Sequence, residues 1–259
     1  MSRSSPTPRS VVLVVALLSL ARAAPARAQG GPPLLTDDPG TPGAGRWEIN
    51  VALTLDRTSA SREIGAPLMD VNYGWGERLQ LKLEIPWLVA DDDGEGRRSG
   101  LGNPLLGVKW RFLDEDKAGI AVSTYPQLGF NLVSSSADRG LAERETSFLL
   151  PVSAVKRIGP VSVDVEAGRL FRTGEGFWVW GVALGHDFRR VEALVELFGT
   201  SGPEAADRRT VLNVGGRVTV GEHATLLISA GGSIYDGDGS HHALAYLGLQ
   251  VAAGGEHGP

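Results

Sequence analysis

From Gly45 onward the chain alternates apolar and polar residues, and it repeats that pattern about a dozen times. Leu79-Gln80-Leu81-Lys82-Leu83-Glu84-Ile85 is the clearest run. A strand built this way has one apolar face and one charged face. The chain has no cysteine and almost no helical pattern, and it opens with a secretory leader. Together these features predict an all-β fold: an antiparallel transmembrane β-barrel of about 12 strands, apolar toward lipid and polar toward the lumen.

The leader is read over residues 1–28. Arg3 and Arg9 form its basic end and Val11 to Ala21 its apolar stretch. Ala26-Arg27-Ala28 is the cleavage motif, with Ala21-Arg22-Ala23 as a second candidate. No later run reaches the ~20 apolar residues of a membrane helix. Without the leader the chain carries 21 basic and 30 acidic residues, a net charge of −9. That balance argues against a nucleic-acid partner and suits an acidic lumen or solvated loops. With no cysteine, disulfide staples and thiolate metal sites are excluded.

Residues 29–45 are rich in Pro and Gly and read as an extended periplasmic N-terminal segment. The barrel is expected over residues 46–253, followed by a tail at 254–259. Strands are expected at about 46–57, 67–75, 79–89, 102–112, 118–130 and 147–155. Six more start at Val161, Phe177, Val191, Thr210, Ala224 and Ala243. Asp91 to Gly100 reads as a charged, Gly-rich loop. Connections after the even-numbered strands are short, and most of the others are long, as in barrels with short periplasmic turns. All six Trp residues (47, 75, 87, 110, 178, 180) fall near strand ends, where interfacial aromatic girdles sit. A secreted soluble all-β protein is the other fold compatible with alternation; its apolar faces would point inward.

Several motifs resemble a known family. They include Thr36-Asp37-Asp38-Pro39, Gly45-Arg46-Trp47-Glu48, Asp70-Val71-Asn72-Tyr73-Gly74 and Glu77-Arg78-Leu79-Gln80-Leu81. Ile85-Pro86-Trp87, Gly100-Leu101-Gly102-Asn103-Pro104 and Gly107-Val108-Lys109-Trp110-Arg111-Phe112 complete the set. Over about Thr36 to Tyr125 the chain resembles the MetA-pathway of phenol degradation family, often described as transporters. The resemblance implies an outer-membrane barrel that passes small molecules, aromatic or other hydrophobic compounds among them. One departure is that many such barrels end on an aromatic assembly signal, whereas this chain ends Gly254-Gly255-Glu256-His257-Gly258-Pro259.

By parity the lumen-lining charges are Glu48, Asp70, Lys82, Glu84, Lys109, Arg111, Asp164, Glu166, Glu192, Glu196 and Arg217. They either fill the lumen by pairing across it or line an open one. The N-terminal motif Thr36, Asp37, Asp38 and Pro39 is either a plug or mouth segment meeting Lys109 or Arg111, or an ordered cap. Ser240, His241, His242 and Asp236 share one outer loop but match no catalytic spacing, so they read as solvated. Asp91-Asp92-Asp93-Gly94-Glu95 lacks calcium-loop spacing. No cofactor, metal or catalytic residue is expected. The expected partners are outer-membrane lipid and lipopolysaccharide, the barrel-assembly machinery and small-molecule solutes. The expected role is an outer-membrane channel, with a non-transporting barrel, structural or enzymatic, as the alternative.

Overall fold

The computed structural model describes residues 31–92 and 96–254. The expected leader, at residues 1–28, and all but the first residue of the tail lie outside the described residues. The first three strands are β1 (Trp47–Arg57), β2 (Ser61–Trp75) and β3 (Leu79–Asp92). Four short strands follow: β4 (Gly96–Leu101), β5 (Leu105–Leu113), β6 (Ala121–Thr124) and β7 (Gln127–Gly129). The rest are β8 (Ser147–Ile158), β9 (Val161–Arg172), β10 (Glu175–Phe188), β11 (Val191–Ser201), β12 (Arg209–Thr219), β13 (Ala224–Asp236) and β14 (Ala243–Ala253).

Every neighbouring pair is antiparallel, and β1 pairs with β14 from Trp47↔Ala253 to Arg57↔Ala243, which closes the sheet. β3 pairs with β5 along Leu79–Glu84 and with β4 along Trp87–Asp92. β4 and β5 are therefore two parts of one wall strand, interrupted at Gly102-Asn103-Pro104. β6 and β7 form another, interrupted at Tyr125-Pro126, and both pair with β8. The wall has twelve strands. Closure pairs the wall strands on both sides, as a membrane-spanning sheet requires, and leaves only β4, which pairs with β3 alone, with an open edge.

The alternation resolves with the apolar face outward. On β3, Leu79, Leu81, Leu83, Ile85 and Trp87 are exposed, while Gln80 is buried and Lys82 is half-buried. On β11, Val191, Val195 and Leu197 are exposed while Glu192 and Glu196 are buried. A soluble protein with this sequence would show the reverse, so the soluble alternative is overturned. All six Trp side chains lie on the outside. At the end where β1 begins and β14 stops, called the terminal end, Trp47 packs on Tyr73 at 4.6 Å, and Trp75 and Trp110 share a row across Leu79. At the opposite end Phe148 stacks on Phe171.

The structure corrects the outer-loop expectation at Asp91 to Gly100. Asp91 and Asp92 continue β3, and they pair with Arg97 and Gly96 of β4, so β3 and β4 form a hairpin arm. Its two sides are pinned by Arg98 with Asp92. β2 also starts earlier than its pattern suggests, at Ser61. A register shift between Gly65 and Leu68 interrupts the alternation there. The long connection after β7 folds into the barrel mouth. A Cβ added at inward-facing Gly100 would lie 2.7 Å from Arg139 Nη2 and 3.1 Å from Leu141 Cδ1. Arg139 donates to the Ser99 carbonyl at 2.8 Å. At the terminal end the turn after β5 is held by Asp114, which accepts from Arg78 and Arg111; these contacts hold its carboxyl below the usual carboxylate range.

Candidate functional site

The lumen contains the N-terminal segment. Residues 31–45, read from sequence as an extended periplasmic stretch, run inside the wall before turning into β1. The contacts divide by chemistry. Wall carboxylates accept the segment's N–H groups: Glu196 takes Leu35 N–H at 3.0 Å and Thr36 N–H, and Glu166 takes Asp37 N–H at 3.1 Å. Wall donors reach its carbonyls. Arg217 donates to Gly31 O and Pro32 O at 3.1 Å, Ser229 to Pro33 O at 2.8 Å, and Lys109 to Gly40 O at 3.1 Å. Lys109 also pairs with Asp37 at 2.8 Å and approaches Asp38 at 3.9 Å.

The wall is shaped for this segment. Gly181 of β10 faces inward, and a Cβ there would lie 2.2 Å from Thr36 Oγ1. Any larger residue would collide with the plug. Leu34 packs with Ala183 and Leu194 in a small buried apolar cluster. Thr36, Asp38 and Pro39 are all buried. Between the plug and Arg157, Asp164, Glu192 and Arg217 only about 10 Å³ of free space remains, room for about one water molecule. On this side of the plug the lumen is therefore filled.

Each charged position read by parity has a definite placement. Lys82 bridges Glu84 at 3.0 Å and Asp70 at 3.6 Å. Asp70 accepts from Asn50 at 3.1 Å and Asn72 at 3.0 Å, and Gln80 links Asn72 at 2.7 Å to Tyr125 at 3.3 Å. Lys109 sits 4.8 Å above the Tyr125 ring. These groups form one connected network across β1, β2, β3, β5 and the plug. A low-dielectric interior strengthens each of these contacts, and the Asn50 amide oxygen is left without a partner. Glu192 pairs with Arg217 at 2.8 Å, and Asp164 lies beside them along the filled space. Glu166 also accepts from Ser153 at 3.1 Å. Arg111 stands apart: it bonds Asp114 at 3.1 Å and the Glu77 carbonyl at 2.7 Å, so Lys109 alone of the two expected bases meets the plug carboxylates.

Toward the opposite end the lumen widens into a cavity of about 390 Å³. The plug, including Leu35 and Asp37, is its floor. Leu68, Leu149, Val179, Phe198 and Leu244 supply apolar wall, and Glu48, Asp70, Lys82, Glu84, Asn213 and Tyr246 supply polar wall. The neutral inward residues Asn50, Asn72, Gln80, Tyr125 and Asn213 were missed by a reading that followed charge. They share strand parity with the charged positions, and that parity was the available signal. At the mouth, His242 Nδ1 meets Asp56 at 2.6 Å. Arg209 reaches His242 Nε2 at 2.6 Å and Asp236 at 2.8 Å. The loop read as solvated thus ties β14 to β1 and β12. Among the described residues no cluster of metal-ligating side chains forms.

No protein-family model matches the sequence, and no curated protein matches it. Solved structures do match the fold. An outer membrane channel from Pseudomonas putida F1 superposes with a TM-score of 0.63 at 14% identity, over 87% of this chain and all of that one. The NanC porin matches with a TM-score of 0.56 at 11% identity, over 78% of this chain and 98% of that one. The KdgM porin, solved with disordered oligogalacturonate, matches with a TM-score of 0.55 at 9% identity over the same shares. At these identities the likeness concerns the fold.

Proposed function

We propose that this chain is an outer-membrane channel for small molecules, aromatic or other hydrophobic compounds among them, with residues 31–45 as its internal plug. The carrying observation is the 390 Å³ cavity, closed below by the plug and walled by both apolar and polar side chains. Its size falls in the ~300–1,000 Å³ range of small-molecule sites, and such sites combine apolar walls with a few placed polar groups. The MetA-pathway resemblance and the folds of the matched channel and porins support the same reading. In it the terminal end faces the periplasm and the β3–β4 arm faces outward, with membrane lipid and lipopolysaccharide around the wall. The barrel-assembly machinery inserts it. His242 supports a non-enzymatic role, because its ring nitrogens are turned to Asp56 and Arg209 rather than to a nucleophile.

The plug favours a second reading, a barrel that does not transport, since on the Glu192 and Arg217 side only 10 Å³ lies beside it. Conductance of the purified full chain in planar bilayers separates the two. Discrete channel openings that disappear when the plug is cross-linked to the wall support the channel. A silent bilayer at all voltages, with correctly folded protein, refutes it.

A further inference from the structure

We propose that the cavity above the plug is a binding site for small organic cations with an apolar body, such as arylalkylammonium compounds. This deepens the channel reading and rests on it for its biological use, though not for binding itself. Eight carboxyl groups line the cavity against two lysines. Both lysines are already engaged: Lys82 with Glu84 and Asp70, Lys109 with Asp37 and Asp38. Glu48 and Glu63 form no salt bridge among the described residues, and both face the cavity. What remains for a ligand is therefore acceptor capacity without a matching cation.

Two further atoms independently point to a ligand. Asn213 is buried, and its amide nitrogen donates to Glu196 at 3.3 Å and Ser229 at 3.5 Å, while its Oδ1 has no partner. The Tyr246 hydroxyl is also buried and unpartnered. Buried polar atoms without partners are rare in folded proteins, and each calls for a partner. An amide oxygen only accepts, so it requires a donor. Leu68, Leu149, Phe198 and Leu244 form the apolar side and suit a ring or short hydrocarbon. An ammonium supplies three donors and one positive charge, and it would meet carboxylates where little water competes. Glu48 lies level with Asn72 and Glu63 with Asp56, eight positions apart along β1, so an ammonium meets one of these acids at a time, and an anion would meet either with both lysines occupied.

Three probes of one shape test the inference: 2-phenylethylammonium, 2-phenylethanol and phenylacetate. They are titrated calorimetrically into the detergent-solubilised full chain, and the same protein is examined in planar bilayers. Charge-assisted hydrogen bonds predict that the ammonium binds at least ~10-fold tighter than the alcohol, with phenylacetate weakest. Glu48→Gln combined with Glu63→Gln should erase most of that preference and leave the alcohol unchanged. Leu244→Asn should weaken ammonium and alcohol together. Equal binding of all three probes, preference for phenylacetate, no binding of any probe, or a preference untouched by the double substitution overturns the proposal. Conductance without ammonium preference sinks this inference and leaves the channel standing. Ammonium preference without conductance leaves the site standing and sinks the channel.

Discussion

Replacing Glu196 with Ala should release the plug while leaving the wall intact. The Glu196 side chain is almost fully buried and accepts the backbone N–H groups of both Leu35 and Thr36. A hydrogen bond to a charged group contributes about 1.5–3 kcal/mol. Two of them would give about 3–6 kcal/mol. The lower end applies, because an unplugged lumen rehydrates the carboxylate and water can enter the space that Ala leaves. A shift of about 3 kcal/mol changes the ratio of plugged to unplugged protein by roughly 150-fold. Leu34 remains buried against Ala183 and Leu194, so the plug retains part of its hold. An endoproteinase that cuts before aspartate reads the outcome at Asp37 and Asp38, both shielded inside the barrel. When opening is fast, cleavage follows the population of the open form. The Glu196→Ala chain should be cut roughly 100-fold faster than the parent, and its channels should open more often in planar bilayers. Glu196→Gln, which keeps one acceptor oxygen, should fall between. If cleavage stays within a factor of about three while the barrel still shows heat-dependent migration in SDS, Glu196 does not hold the plug and the reasoning fails.

Leu83→Arg should destabilise the barrel by about 2–4 kcal/mol, because this side chain faces lipid, whereas Glu84→Gln, which keeps an acceptor for Lys82 on the lumen side, should be milder; urea unfolding in lipid vesicles measures both, and equal damage would reverse the assigned faces. Lys109→Met should cost about 3 kcal/mol, since it removes the ammonium paired with the Asp37 carboxylate at 2.8 Å. Adding Asp37→Asn should restore part of that loss, and a double-mutant cycle with purely additive values would remove Lys109–Asp37 from the account. Gly181→Val should expel the plug by collision with Thr36 and raise aspartate-directed cleavage; a protected plug in that variant would contradict the close approach seen here. Unboiled protein should migrate differently from boiled protein in SDS and fractionate with outer membranes, and recovery in the soluble periplasm would contradict the membrane barrel.

The wall was legible because strand parity and membrane burial report the same thing. Leu79 to Ile85 could be assigned face by face from sequence, and β8 to β14 begin within about two residues of where their patterns place them. Parity fails where the backbone breaks step. The register shift between Gly65 and Leu68 hid the start of β2, residues 61–66, and the interruptions at Asn103-Pro104 and Tyr125-Pro126 split two wall strands. The β3–β4 arm was hidden for another reason. Asp91, Asp92, Arg97 and Arg98 have the composition of a loop, and only their cross-strand pairing makes them a hairpin. The site was half legible. That Glu192 and Glu196 share a face follows from their spacing, but their separate partners, Arg217 for one and the plug backbone for the other, depend on contacts 25 and about 160 residues away in sequence. No local pattern encodes such contacts. Glu196 therefore tests the hold on the plug, while Glu192 tests the pairing of Arg217.

The division of contacts around residues 31–45 explains why so acidic an interior can be built at all. Buried carboxylates need hydrogen-bond donors, and a buried guanidinium needs acceptors. The wall supplies few neutral donors near Glu196 and Glu166, and among the described residues the wall hydrogen bond of Arg217 goes to Glu192. The plug brings both missing sets with its own backbone: N–H groups of Leu35, Thr36 and Asp37 for the acids, and carbonyls of Gly31 and Pro32 for the arginine. Pro32 and Pro33 have no N–H to leave unpaired, so a proline-rich stretch suits the Arg217 and Ser229 side, where only carbonyls are used. A composition that reads as a loose linker is thus matched to the wall it faces. The same matching means that opening the channel must hydrate the acids and Arg217 together, so plug release should be one cooperative step rather than a gradual fraying. If the proposed channel opens by releasing the plug, a single class of long openings, with no ladder of partial conductances, is the expected record.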